Sequence, residues 1–493
     1  MTKRSALFPP ATAALFRTLV FLSIPTIVEQ VLSTLLQYVD TAMVGQLGEQ
    51  ATAAVSTTTT VTWLVNSIPG AIGTAMMVLI SRAAGAGDED QVRKLSQQAL
   101  LLAVAAGAVL EVLSIALCPY IPVWMGAEPA IQAEASQYFF IVSLPLVFRS
   151  VSTVLGYTLR AVRDTKTPMI ISAVSNGMNV VLNTLFIYIL GLGVAGAAIA
   201  SAISYAAAGL LLFCFYRRNA QLHWPWQSFA VDGPLLRETA EVGTPVLGTS
   251  LVSCLGYVVF ASLVSGMGTT IFAAHSIAVT AETIFYVPGY GLRSAASTLI
   301  GNARGERNAV KLKAVAKLSV GLTVGIMILS GAVLFFGAGL LMRVFTPSQA
   351  VIDLGAEMLR LVALSEPFFG LMVVLEGIFY GLGRTRYAFV VETVGMWCVR
   401  ILFTFLCVRV WGLGLRAVWY CMIADNVCKA ILFALPFVPR QPRPPDGAAV
   451  TALGQGVSFP ASSSRASARP AGHGPAARWS RRSAHGRGLP GSY

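Results

Sequence analysis

Charge is scarce in this chain: only 12% of its 493 residues are Asp, Glu, Lys or Arg. Soluble domains carry about a quarter, so one or several ordinary water-soluble domains are excluded. Ligand-type clusters are missing as well. His223, in the central loop, and His275, at the start of the eighth apolar span, have no Cys or carboxylate at ligand spacing. The seven cysteines (Cys118, Cys214, Cys254, Cys398, Cys407, Cys421, Cys428) form no CxxC pair and all fall in or at the ends of apolar stretches. They read as small buried apolar residues. No metal and no cofactor is expected, no nucleophilic triad is specified, and enzyme activity has no positive support.

What the chain has instead is apolar length, since 55% of it is hydrophobic. A helix needs roughly 20 apolar residues to cross a bilayer. Twelve segments qualify: 16–39, 51–80, 95–118, 133–159, 168–190 and 195–216, then 240–265, 271–300, 313–337, 354–380, 387–408 and 416–437. The expected fold is all-α and integral to the membrane, with twelve transmembrane helices in two pseudo-symmetric six-helix bundles around a central cleft. The first apolar run is already a full span, so no cleavable signal is read there.

Basic residues set the orientation, because cytoplasmic loops retain Lys and Arg. Loops after even-numbered spans carry Arg82, Arg93 and Lys94; Arg160, Arg163 and Lys166; Arg217 and Arg218; Arg304, Arg307 and Lys311; and Arg384 and Arg386. Loops after odd-numbered spans offer Arg343, Arg409 and Arg416. Both termini are therefore expected in the cytoplasm, in a multi-pass protein of the plasma or inner cell membrane. The net charge of +13 does not indicate nucleic acid, because eight arginines and one aspartate after Pro439 supply +7 of it. That segment is rich in Pro, Ser, Ala, Gly and Arg and is expected to stay disordered. The chain thus divides into a cytoplasmic N-terminus (1–15), a first bundle (16–216), a cytoplasmic linker (217–239), a second bundle (240–437) and a basic cytoplasmic tail (438–493). A monomer in the lipid bilayer is expected.

The two bundles repeat each other at a constant offset of 220 positions. Pro25 returns as Pro245, and Gly48, Ala53 and Ala54 return as Gly268, Ala273 and Ala274. Residues 79–85 map without a gap onto 299–305, and Thr165-Lys166 falls on Thr385-Arg386. Two copies of one transmembrane unit, head to tail, point to a substrate path between like halves.

Gly191-Leu192-Gly193-Val194-Ala195-Gly196 matches GxGxxG but joins two membrane spans with no preceding strand, so a dinucleotide site is rejected. Its glycines are read as a tight outer turn and a close packing of spans five and six. Acids inside apolar helices carry more weight, because a charge at bilayer depth costs at least about 2.5–3.5 kcal/mol on insertion scales. Those acids are Glu29, Asp40, Glu111, Glu282, Glu366, Glu376 and Glu392. Asp40, beside Tyr38 in the run Gln37–Gly45, is the principal candidate. Glu29 precedes it by eleven residues, which at helical pitch puts both acids on one face, roughly 16 Å apart. Glu111, Glu366 and Glu392 are read first as structural hydrogen-bond partners, whereas Glu29 and Glu376 stay open between structure and site. On span five, Asn179 and Asn183 share a face at i, i+4, near Asn176; Ser201 on span six can point at the same cavity. Such groups can also serve as interhelical glue. At offset 220, Asp40 meets Phe260, Asn179 meets Val399 and Asn183 meets Phe403, so the polar site belongs to the first half alone.

Taken in order, VDTAMVGQLG at Asp40, LISRAAGAGD closing span two, LRAVRDTKTP closing span four, LGVAGAAIAS between spans five and six, AAHSIA at Ala273 and GMWCVR at Gly395 resemble the multidrug and toxic compound extrusion (MATE) family over residues 15–437. The resemblance implies alternating access and exchange of an ion for a drug-like cation or other amphiphile. It also implies a coupling site at Asp40 with Asn179 as partner. Asn183 stands where many members carry Asp, and Arg163-Asp164-Thr165-Lys166 stands where the family has Gly-Asp-Thr-Lys. One branch carries an acid on span seven, and Thr249–Phe260 holds none, which favours the DinF-like branch and H+ over Na+ as the coupling ion. Glu282 and Glu376 are candidate contacts for cationic substrate in the second half. The rival reading is a lipid-linked sugar flippase of the same superfamily, with Arg149, Arg293, Arg360 and Arg400 as its basic cleft residues.

Overall fold

The computed structural model of the chain describes residues 10–222 and 232–437. His223, part of the 217–239 linker, most of the 1–15 segment and the 438–493 tail lie outside the described residues. In lipid no water satisfies backbone N–H and C=O groups, so apolar runs of this length must close their hydrogen bonds internally. The first half consists of α1 (Pro10–Gly45), α2 (Glu49–Ala86), α3 (Glu89–Leu117), α4 (Pro129–Ser143), α5 (Leu146–Ala161), α6 (Lys166–Asn183) and α7 (Gly193–Arg218). The second consists of α8 (Gly233–Ser265), α9 (Thr269–Gly305), α10 (Ala309–Phe345), α11 (Gln349–Ala363), α12 (Glu366–Gly381), α13 (Thr385–Thr393) and α14 (Leu415–Ala434).

Spans four and ten, expected as single helices, are bent pairs. α4 meets α5 at 52° and α11 meets α12 at 54°; counting each pair as one span, the described residues hold twelve. Pro145 precedes α5 and Pro367 lies in the first turn of α12. Each removes a backbone donor and obstructs the preceding turn. α6 runs on through a π-helical stretch, Thr184–Ile189, and α13 through two, Val394–Ile401 and Leu406–Val410. The stretch at 394–401 has no counterpart in the first half, where 174–181 is plain α-helix.

The repeat extends to helix ends. Asp88 and Asn308, one offset apart, each accept a backbone N–H at 2.9 Å, from Gln91 and Lys311, to cap α3 and α10. The Gly191–Gly196 turn has the form expected of it. Gly191 and Gly193 have φ of 66° and 56°, and a Cβ on Gly196 would lie 2.9 Å from the Phe186 backbone, so glycine permits the approach of α7 to the end of span five.

The three largest apolar clusters among the described residues hold the spans. One lies within the first half around Met76, Leu95, Leu155 and Leu212, and one within the second around Phe260, Leu334, Leu359 and Trp419. The third joins the halves, with Leu19, Leu22 and Val78 against Leu299, Phe379 and Phe433. At the end assigned to the cytoplasm, α2 and α9 cross in backbone contact. A Cβ on Gly85 would overlap the Asn302 carbonyl, and one on Gly305 the Arg82 carbonyl.

Candidate functional site

The helical spacing of α6 places Asn179 and Asn183 one turn apart on the face turned toward α1 and α7. Asn183 Nδ2 donates to Asp40 Oδ1 at 2.7 Å and to Asn179 Oδ1 at 3.1 Å. Asn179 Nδ2 donates in turn to Ser201 Oγ at 3.3 Å. Asp40, Asn183, Asn179 and Ser201 therefore form one hydrogen-bonded chain across three helices. Asn183 is fully buried, its Oδ1 is left without a partner, and the π-helical stretch of span five begins at the next residue. Asp40 is only half-buried.

Asp40 opens on a cavity of 450 Å3 that Asn176, Asn179, Ser201, Tyr138, Arg149 and Tyr205 also line. Thr41, Thr58, Thr59 and Thr62 face it too, and each donates its hydroxyl proton to a carbonyl of its own helix. They present lone pairs to the cavity, so the wall around the carboxylate is rich in acceptors, as a cation requires. Arg149 is the exception, its guanidinium stacked 4.3 Å from the Tyr205 ring centroid.

A second cavity, of 330 Å3, shares Ser33, Arg149, Asn176 and Tyr205 with the first and reaches Glu29. Asp40 and Glu29 thus face connected polar space at two depths, as their spacing on α1 predicts. Their surroundings differ. Arg160 holds Glu29 at 2.5 Å, with both side chains largely buried. Asn176 lines both cavities, with Nδ2 unpartnered. Tyr38 does not line them; its hydroxyl donates to the Thr280 carbonyl at 2.5 Å and its ring meets Phe345 edge-on, so it bridges to the second half.

In the second half, Glu376 accepts from Arg293 at 2.8 Å and from the Tyr380 hydroxyl at 2.6 Å. Glu282 is buried on α9. Glu111 accepts the Val147 N–H at 3.1 Å and has the structural role read for it. His275 is packed between Phe260 and Trp419.

One further constellation is buried in the second half. Asp425 and Lys429, one turn apart on α14, meet Arg400 and Glu392 from span eleven. Arg400 Nε lies 2.9 Å from Asp425 Oδ2, and Lys429 Nζ lies 3.2 Å from that oxygen and 2.9 Å from Glu392 Oε2. Two cations and two anions balance in a buried quartet, and Arg400 stands on the π-helical stretch that the first half lacks. An Asp–Lys pair at i, i+4 inside an apolar span was the signal available for it.

Twelve spans in two like halves, with polar cavities inside the first, define a polytopic membrane protein of the repeat-built transporter class. The MatE family model matches residues 25–185 and again 245–406, once in each half, and the chain belongs to that family. It is similar to the probable multidrug resistance protein NorM of Thermotoga maritima, 27% identical over 433 residues that cover 86% of this chain and 92% of the relative. The probable NorM of Photorhabdus laumondii is 25% identical over 437 residues, 86% of this chain and 96% of the relative. Among solved structures, one described as an outward-facing conformation of a multidrug resistance MATE family transporter aligns with a TM-score of 0.82 at 23% identity, covering 87% of this chain and 97% of the other. A transporter from Pyrococcus furiosus, described as having reversed polarity in its binding pocket, aligns with a TM-score of 0.81 at 23% identity over the same shares.

Proposed function

We propose that this chain is a multidrug efflux transporter: a secondary active antiporter that exports drug-like, often cationic or amphiphilic compounds in exchange for H+ or Na+ by alternating access. The observation that carries the reading is the Asp40–Asn183–Asn179–Ser201 chain, which puts on an acceptor-rich cavity one carboxylate that has no cationic partner among the described residues. The NorM names of the relatives support multidrug export.

Asp40 is the group that changes state. As a carboxylate it accepts the Asn183 amide and attracts a cation into the cavity. Protonated, it becomes a donor, and the unpartnered Asn183 Oδ1 is the acceptor next to it. Protonation therefore removes the counter-charge to a bound cation and rearranges the amide chain, so substrate and proton compete for one site. Na+ drives the same exchange by binding carboxylate, amide and hydroxyl oxygens directly. The proton is the favoured ion, because one carboxylate among neutral amides is enough for it.

The flippase reading has less support. Of the four arginines named for it, Arg293 and Arg400 are held by carboxylates and Arg360 is exposed on the outside of α11. Arg149 alone reaches the first-half cavity.

Cells expressing the chain are expected to lose accumulated ethidium faster than controls, and a proton ionophore should abolish the difference. Asp40→Asn should bring efflux down to the control rate while membrane insertion is unchanged. Full ethidium resistance in that variant would sink the proposal. Reconstituted protein with H+ and Na+ gradients imposed separately identifies the ion.

A further inference from the structure

Two grooves flank one face of α10 near its first turns, and they share Lys317 and Gly321. One, of 540 Å3, runs between α10 and Phe16 of α1. The other, of 660 Å3, is walled by Leu371, Leu375 and Ile378 of α12 and ends at Phe437. Both are apolar except for Lys317, which they share, and Lys313, in the second.

Lys313, Lys317, Gly321 and Gly325 follow at four-residue steps, so they stand on one face of α10, and all four are exposed. A side chain at Gly321 or Gly325 would meet no atom within 4 Å, which leaves the ridge between the grooves bare. Among the described residues no carboxylate pairs with Lys313 or Lys317, whereas Lys311, nearer the helix start, is held by Glu306 at 2.5 Å.

Depth fixes what these lysines meet. α10 has 37 residues, roughly 55 Å at about 1.5 Å per residue, against a hydrocarbon layer of about 30 Å. About 12 Å therefore projects at each end, which puts Lys317 at the boundary between headgroups and hydrocarbon. Beyond it the helix presents Ile328, Leu329 and Phe336 to lipid.

From these observations we infer that α10 carries a binding site for one anionic two-chain phospholipid of the inner leaflet, with its phosphate between Lys313 and Lys317 and one acyl chain in each groove. The leaflet follows from the orientation set by the basic loops; the site itself does not depend on what is exported. The repeat supplies an internal control. At offset 220 on α3 the same positions are Arg93, Gln97, Leu101 and Ala105. Arg93 is taken by Glu89 at 3.2 Å, Gln97 is buried, and Leu101 fills the place of Gly321. The scaffold is duplicated there without the bare ridge or the free lysines.

The test is native mass spectrometry and thermal unfolding of the full chain, delipidated and then exposed to phosphatidylcholine vesicles with or without phosphatidylglycerol. The wild type should retain one phosphatidylglycerol and unfold at a higher temperature with it. Lys313→Gln with Lys317→Gln should weaken retention about thirtyfold, since each surface lysine near an anionic headgroup is worth about 1 kcal/mol and tenfold is about 1.4 kcal/mol. Gly321→Leu with Gly325→Leu should abolish it with both lysines present, and Arg93→Gln should leave it unchanged. Equal retention of phosphatidylglycerol by all variants, equal retention of phosphatidylcholine by the wild type, or equal stabilisation by inorganic phosphate alone would each overturn the inference. Labelling of a Lys313→Cys thiol from outside the cell would overturn the choice of leaflet. Drug efflux is not among these readouts, so failure here is distinct from failure of the antiport proposal.

Discussion

Arg163 and Arg307 occupy backbone positions that their repeat partners give to glycine. Arg163 has φ of 69° where Gly383 has 66°, and Arg307 has 53° where Gly87 has 73°. A left-handed non-glycine residue costs about 1–2 kcal/mol. At Arg163 a contact offsets that cost: its guanidinium donates twice to Asn302 Oδ1, at 2.6 and 2.9 Å, across the two halves. The Gly-to-Arg departure in the 163–166 loop thus exchanges backbone ease for a tie between bundles. At the same scale, the buried quartet makes a prediction. Lys429→Met leaves Asp425 and Glu392 facing Arg400 alone and should destabilise the protein by about 3–5 kcal/mol, the usual result of breaking a buried pair. Adding Glu392→Gln restores the balance and should recover most of the loss in a thermal unfolding series in detergent; no recovery would mean that charge balance is not what holds these helices. Asp40, Asn179, Asn183 and Ser201 were legible in the sequence because one carboxylate and three short polar groups recur at helical spacing in apolar runs. The quartet of Asp425 and Lys429 with Arg400 and Glu392 is less legible: the i, i+4 pair marks the place in span twelve, but its partners are more than 20 residues away in sequence. The ties on Glu29 and Glu376 are also hidden in the sequence, since Arg160 and Arg293 are distant from them along the chain and Arg160 reads there as a topology signal.

At the scale of elements, hydropathy gave the number and order of spans because lipid leaves helix as the one open form for such runs. It reports length and not direction, so the bends in spans four and ten were invisible. Proline did not reveal them either: Pro25, Pro69, Pro245 and Pro288 all lie inside unbroken α1, α2, α8 and α9. What distinguishes the first break is how the exposed backbone is satisfied. Glu111 reaches from α3 to the Val147 N–H at the start of α5. Its repeat counterpart, Gly331, instead admits Glu366 of the second bend, whose Cβ would lie 3.2 Å from a Cβ placed there. Glu111→Ala should therefore cost about 1–3 kcal/mol, the value of an unsatisfied buried donor. Glu111→Gln retains an acceptor and should stay within about 0.5 kcal/mol of wild type. Ethidium efflux by Glu111→Gln is expected at the wild-type rate, and a loss of transport without a loss of stability would move Glu111 from scaffold to exchange site.

For the whole molecule, the duplicated scaffold gives an asymmetric distribution of polar groups and a symmetric place for the halves to meet. The first half holds a carboxylate with neutral amide partners on a polar cavity; in the second, Glu376, Asp425 and Glu392 are paired with Arg293, Arg400 and Lys429, while Glu282 and Glu366 are buried with no ion pair among the described residues. Under the antiport proposal the exchange site is the one at Asp40, in the first half, and the second half would respond through the contact between them. Part of that contact is the crossing of α2 and α9. Asn302 Nδ2 donates to the Ser81 carbonyl at 3.2 Å and Gly85, Gly301 and Gly305 let the two backbones touch, while beside the crossing Arg82 of α2 pairs with Glu238 of α8 at 2.5 Å. Just beyond the crossing lies a small cavity lined by Arg160 of the first half, Arg293 of the second, and Ser297. With this end sealed, the alternating access proposed above would require the crossing to open, and a side chain at Gly85 should favour opening because it overlaps the Asn302 backbone. In a background with the seven native cysteines replaced, a Ser297→Cys thiol should react slowly with an impermeant maleimide applied to the cytoplasmic face, and Gly85→Leu should raise that rate by about tenfold, equivalent to a shift of about 1.4 kcal/mol toward the open form. An unchanged rate in a variant that still inserts and unfolds cooperatively would show that the crossing is a passive contact and that the seal lies elsewhere along the interface.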